Sequence, residues 1–377
     1  MRFQSPARAH RLLIGPVLLL LLLTTSNSTG VGQSRAPIGF ATRVAQLSES
    51  GGYFDTDNLI SNETSYLHVI PALGQMGVKG GAYIVVGPDQ NFSYIARIRP
   101  AIAFIIDVRR DNLLLQLLFK ALFSMADTRA EYISLLFGRT PPPRTDIWKA
   151  AEIDSLATYV DGKPPGPASA QAAIDGRVDR ALDTFGVPLT SEDRNVIHDF
   201  HHRFISAGLG LKFESKGRSP RSYYPTYREL LLETDRQGHQ LNFLASESDY
   251  EYVRWMQAQD LIIPVVGDLA GPSAINAISR FLRERGEQLS AFYVSNVEFY
   301  LFGDGKYPQF IDNLKGIPRA PNSVLIRSVF GKYISIDTMP GYFSTQMVQP
   351  IDALVSGDPD NGYRSYYSVI TAGRRQH

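Results

Sequence analysis

The stretch AIAFIIDVRRDN, from Ala101 to Asn112, decides how this chain folds. Six apolar residues end abruptly in Asp107, and two arginines and a second acid follow. A short, continuous apolar run bounded in this way is typical of a buried strand in a parallel sheet. A carboxylate beside such a core is costly unless something pairs with it. We therefore expect Asp107 to accept hydrogen bonds from a ligand or from neighbouring donors.

Similar apolar runs recur along the chain, and helical patterns lie between them. Strands that are almost continuously apolar and alternate with helices predict a parallel sheet covered on both faces. The predicted fold is α/β, a three-layer Rossmann-like arrangement with a mostly parallel sheet. The other predicted strands are Ala82–Gly87, Leu261–Leu269, Gln288–Asn296 and Ser323–Phe330.

The pattern changes between Gly138 and Gln259, where the Pro-rich loops RTPPPRTD and DGKPPGPAS separate helical segments. We interpret residues 138–259 as a large helical insertion. It divides the core into a first half, residues 35–137 with an N-terminal lid segment, and a second half, residues 260–377. The helices predicted in the insertion are Ile147–Tyr159, Ser169–Phe185, Ser191–Ala207, which Ser191 would cap, and Tyr227–Thr234.

The composition excludes several classes of function. The formal net charge of the 377 residues is +1, so no basic surface suggests nucleic acid as a partner. The chain has no cysteine, which excludes disulfides, thiolate metal sites and cysteine nucleophiles. The sequence does not indicate an oligomeric state.

Residues 1–30 have the pattern of a secretory signal peptide. Arg2, Arg8 and Arg11 precede the apolar run LLIGPVLLLLLL, and the small polar stretch TTSNSTG follows it. We expect an exported protein, periplasmic or extracellular. The alternative is an uncleaved segment that anchors the protein to the inner membrane.

Polar residues follow the apolar strands at their carboxyl ends, where ligands bind in parallel α/β sheets. Gly87 and Asn91 follow the first strand, Asp107 ends the second and Asp268 follows the third. Ser295, Asn296 and Glu298 follow the fourth. We expect these groups to share one pocket.

The spacing makes Asp107 the strongest of these candidates. It lies twenty residues after Gly87, and an acid at about this distance binds ribose hydroxyls in nucleotide-binding Rossmann folds. The first turn has no G-x-G-x-x-G, so a diphosphate cradle is not predicted. The alternative role is structural: Asp107 pairs with Arg109 or Arg110, or Asp111 caps the next helix.

The order of these strand ends resembles class I S-adenosylmethionine-dependent methyltransferases: a glycine turn, an acid after strand two, Gly-Asp after strand three and a polar group after strand four. The phrases FDTDNLISNE, VGPDQNFSYIARIRP, FIIDVRRDN and FYVSNVEFYLF are also similar to a family of uncharacterised bacterial proteins with such a core. The resemblance covers Tyr53–Asp127 and Leu261–Phe302.

The resemblance implies a nucleoside-type ligand, S-adenosylmethionine, near Gly87, Asp107 and Asp268, with Ser295 and Asn296 toward the reacting group. Asn91 would lie in the same cleft. Glu298 or Glu63 would act as the base, and Asn58, Asn62 and Glu63 would form a lid. The competing hypothesis is a catalytically silent binding or scaffold protein that kept the fold.

A metal site is a third hypothesis. His198, His201 and His202 lie at i, i+3 and i+4 of a predicted helix, but no H-E-x-x-H motif is present. A solvated or packed helix face explains the same spacing, and we do not predict a bound metal.

Overall fold

The computed structural model describes residues 39–216, 219, 221–333, 338–356 and 363–374. The predicted signal peptide or anchor, residues 1–30, lies outside these residues. Within the described ranges, no helix has both the length and the apolar character needed to cross a membrane.

Six strands form one sheet, in the order β3-β2-β1-β4-β5-β6. The first five run parallel to their neighbours, and β6 is antiparallel to β5. The structure thus confirms an α/β protein with a mostly parallel sheet. The strands are β1 (Ala82–Val85), β2 (Ile102–Asp107), β3 (Ile262–Val266), β4 (Leu289–Ser295), β5 (Arg319–Phe330) and β6 (Ser344–Pro350).

Helices occupy the connections between the strands. Three short 3-10 turns also occur, at Ile147–Ala150, Gly208–Gly210 and Gly331–Tyr333. The α-helices are α1 (Phe40–Leu47), α2 (Ile70–Gln75), α3 (Gln90–Ile98), α4 (Arg110–Met125), α5 (Arg129–Leu136), α6 (Ile153–Asp161), α7 (Ala168–Phe185), α8 (Ser191–Ala207), α9 (Tyr227–Leu231), α10 (Glu247–Ala258), α11 (Ala274–Arg285), α12 (Val297–Gly303), α13 (Tyr307–Gly316), α14 (Ile351–Ser356) and α15 (Tyr366–Arg374).

The parallel strands and helix α4 supply much of the core. β1 and β3 are buried along their whole lengths, as their continuous apolar sequences predict. Helix α4 is buried at every position from Asn112 to Phe123 and packs against β2 and β3. Its apolar sequence, almost unbroken around the helix, explains this burial.

The segment between α5 and β3 is helical, apart from isolated bridges such as Lys212–Thr226. Helix α8 has the predicted bounds, but its cap is Thr190 rather than Ser191. The Thr190 hydroxyl accepts from the Asp193 backbone N–H (3.1 Å), and the Asp193 carboxylate accepts from the Thr190 N–H (2.9 Å). This reciprocal pair satisfies two groups that a helix start would otherwise leave unpaired.

Residues 51–63 form a lid segment over the carboxyl edge of the sheet. The Gly52 N–H donates to the Val108 carbonyl oxygen (2.7 Å), which ties the segment to the end of β2. The Asp57 N–H donates to the Glu214 carbonyl (3.1 Å), and the Lys216 N–H donates to the Asp55 carbonyl (2.7 Å). The lid segment is thus held from two sides.

Candidate functional site

A cavity of about 490 Å³ lies at the carboxyl ends of β1, β2, β3 and β4. This volume is typical of sites for small organic ligands. Its walls come from the strand ends and from the lid segment, within residues 53–63. The lining residues from the strand ends are Val86–Pro88, Ile106–Val108, Gly267–Leu269 and Ser295–Val297.

Six of the eight predicted site residues line this cavity, and two do not. Those that line it are Gly87, Asp107, Asp268, Ser295, Asn296 and Glu63. Asn91 is buried behind the Gly87 turn, and Glu298, on helix α12, is buried in an ion pair. Asn58 and Asn62, predicted in the lid, also line the cavity.

Asp107 is held by the protein itself. Oδ1 accepts from the backbone N–H (2.8 Å) and Nε (3.1 Å) of Arg109, while Oδ2 accepts from Arg109 Nη2 (2.8 Å) and Asn112 Nδ2 (3.1 Å). A carboxylate has about four acceptor positions, and these four bonds fill them. The geometry therefore leaves Asp107 little acceptor capacity for the ribose hydroxyls that we expected it to bind.

Arg109 explains why charges crowd the end of β2. Its guanidinium, 4% exposed, also donates through Nη1 to the carbonyl oxygens of Thr56 (2.5 Å) and Asp57 (3.1 Å) in the lid segment. Arg110 turns away and pairs with Asp193 through Nε (2.8 Å). Asp107 thus orients Arg109, and Arg109 fastens the lid segment over the sheet edge.

The turn after β1 depends on Gly87 and Asn91. Gly87 has φ of +102°, a conformation that favours glycine. The Asn91 amide donates to the carbonyl oxygens of Val86 (2.9 Å) and Pro88 (3.1 Å), and its Oδ1 accepts from the Tyr83 hydroxyl (3.2 Å). Asn91 therefore shapes the floor of the cavity without lining it.

Glu63 lies between the lid segment and the end of β4, with 2% of its surface exposed. The hydroxyls of Tyr293 and Ser295 donate to its two carboxyl oxygens. Burial raises the pKa of Glu63, although these hydrogen bonds partly oppose the shift. In the part of the chain that the structure describes, Glu63 makes no ion pair. Glu63 is thus a buried, cavity-lining carboxyl group with a raised pKa.

Ser295 ends β4 with φ of +52°, an uncommon conformation for a residue other than glycine. Such backbone strain clusters at functional sites, because the surrounding structure must hold it in place. The strained turn directs the Ser295 hydroxyl to Glu63 and places Asn296 at the start of α12. The turn therefore places two polar side chains, Ser295 and Asn296, beside Glu63 on one side of the cavity.

Glu298 does not reach the cavity, so the geometry does not support the base role that we predicted for it. Its Oε2 lies 2.5 Å from Arg327 Nε, and both side chains are 0% exposed. Arg327 Nη1 also donates to Gln349 Oε1 (2.7 Å), so the pair joins α12 to β5 and β6. Burial alone would lower the pKa of Arg327, but the charge of Glu298 raises it. Glu298 is thus a structural partner.

Acidic groups outnumber basic ones around the cavity. Five carboxyl side chains and one lysine, Lys306, are found among the described lining residues. Lys306 Nζ lies 3.0 Å from Asp268 Oδ2, and the other oxygen of Asp268 accepts from the Ala270 N–H (2.9 Å). The carboxyl groups are those of Asp55, Glu63, Asp107, Asp268 and Asp304.

The sequence reasoning missed several lining residues. Gln90 was passed over, although it stands at the start of the first helix after β1, next to Asn91. The pair Phe54 and Tyr300, whose rings meet edge to face with centroids 4.9 Å apart, was also missed. Phe54 and Tyr300 are far apart in the sequence and meet only in the folded structure.

The three histidines of α8 do not meet at a common point. His201 Nε2 lies 2.9 Å from the Leu135 carbonyl oxygen, inside the protein. His198 faces Asp179 (3.3 Å) and His202 faces Asp175 (2.9 Å). No group of three or more metal-binding side chains occurs within the residues described.

Comparison of the sequence with protein families gives a family match. The chain matches a domain of unknown function, DUF7790, over residues 58–140 and 212–359, which is more than half of its length. The protein therefore belongs to the DUF7790 family. No curated protein matches the sequence. The family match leaves out residues 141–211, which contain α6, α7 and α8.

Proposed function

We propose that this protein is a Rossmann-like, methyltransferase-like protein that binds a small nucleoside-type ligand in the cavity. The observation that carries the proposal is the position of the cavity at the carboxyl ends of four parallel strands. The strand order 3-2-1-4-5-6 is that of nucleotide-binding doubly wound sheets, which bind ligands where the order reverses, between β1 and β4. An antiparallel edge strand is common in such sheets.

The charges around the cavity support a cationic or neutral ligand. Phosphate groups require cations or several N–H donors, and the described lining offers one lysine, already paired with Asp268. S-adenosylmethionine has a sulfonium and an ammonium group against one carboxylate, so its net charge suits an acidic cavity. When bound, S-adenosylmethionine would supply an activated methyl group. Glu63 lies on the β4 side of the cavity, where it can take a proton from the molecule that receives the methyl group.

A second candidate function is that of a binding protein without catalysis. The saturated hydrogen bonding of Asp107 favours it, because a ribose-binding acid would need open acceptor positions. Arg109 also holds the lid segment through two hydrogen bonds, so the shape of the cavity is fixed.

Isothermal titration calorimetry tests the proposal with S-adenosylmethionine, S-adenosylhomocysteine and ATP. We expect the first two to bind and ATP to bind more weakly or not at all. Equal or tighter binding of ATP would overturn the charge argument. Absence of binding by both adenosyl compounds would remove the methyltransferase proposal and leave the second candidate.

A charge reversal makes the test specific to the cavity. Asp304, which lines the cavity, is replaced by lysine in Asp304→Lys, so the local charge changes by two units. This variant should bind S-adenosylmethionine about fivefold more weakly at low salt, because the charge acts across several ångströms of solvent. Asp312→Lys is the matched control, because Asp312 is exposed on α13 and does not line the cavity. An equal effect of both variants would contradict the proposed site.

A further inference from the structure

The side-chain carboxamide of Gln90 is buried and makes no hydrogen bond among the described residues. It is the first residue of α3, it lines the cavity, and 6% of its surface is exposed. Within the described residues, its Oε1 has no hydrogen-bond partner, and no hydrogen bond of its Nε2 is present. Buried polar atoms in folded proteins almost always have partners, so an orphaned amide facing a cavity requires an explanation.

The neighbouring amide shows that the turn itself does not need Gln90. Asn91 satisfies three polar groups of the β1–α3 turn, namely two carbonyl oxygens and the Tyr83 hydroxyl. Gln90 makes none of these bonds, although it is adjacent in sequence and nearly as buried. The two amides thus have different roles, with Asn91 supporting the backbone and Gln90 facing the cavity.

Gly87 keeps the space around this amide open. A Cβ atom at position 87 would lie 3.5 Å from Gln90 Nε2 and 3.4 Å from Asn91 Nδ2. Any larger side chain there would reach the carboxamides and cover the approach to Gln90. Glycine is therefore favoured at position 87 for two reasons: its φ is positive, and a larger side chain would block the approach to Gln90.

The surroundings define which partner Gln90 suits. The adjacent Asp89 is 5% exposed and accepts from the Tyr227 hydroxyl (2.7 Å), so a carboxyl group already stands at the start of α3. Together with the acidic lining, this disfavours an anionic partner. A carboxamide pairs best with a group that presents an N–H donor beside an acceptor, as adenine or a primary carboxamide does.

We infer that Gln90 is a specificity-determining residue that selects ligands with an N–H donor beside an acceptor. The inference rests on the proposed function, in that it requires the cavity to bind a small ligand. Oε1 is itself buried, so the carboxamide rotates on binding to let Oε1 accept from the donor of the ligand, and Nε2 donates to its acceptor. Adenine and a carboxamide such as that of nicotinamide are two sources of the same chemistry.

Two pairs of probes separate these sources in calorimetric titrations of the full chain. Adenosine is compared with purine riboside, which lacks the amino group, and nicotinamide is compared with 3-acetylpyridine, which is also neutral and lacks the N–H donors. Wild type should bind the donor-bearing member of at least one pair about tenfold more tightly, as expected for one good hydrogen bond. In Gln90→Leu this preference should fall to about twofold or less. An unchanged preference in Gln90→Leu, or no binding of either pair by wild type, overturns the inference.

A second measurement does not depend on any ligand. Gln90→Leu should leave the thermal unfolding midpoint unchanged or raise it, because it removes an unpaired buried amide. Asn91→Leu is the matched control and should lower the midpoint, since it breaks three hydrogen bonds. A loss in Gln90→Leu as large as that in Asn91→Leu would assign Gln90 a structural role. Wild type could fail to bind S-adenosylhomocysteine and still prefer adenosine to purine riboside, with Gln90→Leu losing that preference. In that case the proposal of S-adenosylmethionine as the ligand is wrong, and the inference about Gln90 is retained.

Discussion

Glu63 and Glu298 are two carboxyl groups buried to almost the same extent, 2% and 0% exposed, and the fold treats them in opposite ways. Glu298 has a buried cation, Arg327, with Nε 2.5 Å from its oxygen. Glu63 has hydroxyl donors from Tyr293 and Ser295 and lines the cavity.

The difference shows that the partner, rather than burial, decides what a buried acid can do. The ion pair with Arg327 fixes Glu298 in place, so its role is to hold α12 against β5 and β6. Burial raises the pKa of Glu63, which has hydroxyl donors but, among the residues described, no cation to oppose the shift, and the carboxyl group lines the cavity. These are the attributes of a proton-handling group. Each of the following variants tests one side of this contrast.

Breaking the ion pair should have the largest effect. Glu298→Gln leaves the Arg327 guanidinium buried and uncompensated, which costs about 3–5 kcal/mol of unfolding free energy. Urea denaturation at neutral pH measures the loss. The double variant Glu298→Gln with Arg327→Met should lose less than the sum of the single variants, because no charge remains buried. A loss below about 1 kcal/mol in Glu298→Gln would contradict the structural role.

Glu63→Gln should show the next largest effect, visible as a change in pH dependence. In the unfolded chain a glutamate ionises near pH 4.3, while burial in the folded protein raises the pKa of Glu63. Between these pKa values the folded state binds more protons, so wild-type stability falls as the pH rises. Glutamine resembles the neutral acid and removes this loss, which amounts to about 1.4 kcal/mol for each unit of the pKa difference.

The measurement for Glu63→Gln is the difference between its unfolding free energy and that of wild type from about pH 4 to about pH 7. Asp89, whose pKa burial raises to about 6, contributes equally to both proteins and cancels. Glu251→Gln, at an exposed position of α10, serves as the control for the substitution itself. A flat difference for Glu63→Gln would mean that Glu63 ionises as it does in the unfolded chain.

The sequence predicts β1, β2 and β3 well because each is a short apolar run that ends at polar residues or glycine. β2 lies at Ile102–Asp107, inside the quoted stretch Ala101–Asn112, and β3 lies at Ile262–Val266, inside the predicted Leu261–Leu269. Helices α6 to α10 lie within residues 138–259, where the sequence predicts an insertion, and the family match omits only 141–211 of that range.

The partners of the charged groups could not be predicted, since they depend on contacts between distant parts of the chain. Glu298 pairs with Arg327, 29 residues away on β5, and nothing in the local sequence of either residue signals this. For Asp107 the sequence left ribose, Arg109 and Arg110 open. The structure pairs it with Arg109, because Arg110 is the first residue of α4 and extends to Asp193.

The smallest expected effect concerns the strained turn that brings Ser295 to Glu63. Ser295→Ala removes one hydroxyl donor and should cost about 1 kcal/mol, while the unfavourable φ of +52° remains. Ser295→Gly loses the same bond but relieves that conformation, so it should be more stable than Ser295→Ala by roughly 1 kcal/mol. Urea denaturation of the two variants measures this difference, and equal stabilities would mean that the turn stores no strain.

Loss of the Ser295 hydroxyl also removes a hydrogen bond that lowers the pKa of Glu63, so both variants should lose stability with rising pH more steeply than wild type. If that slope is unchanged, the Ser295 hydroxyl does not control the protonation of Glu63, and the contrast with Glu298 must rest on Tyr293.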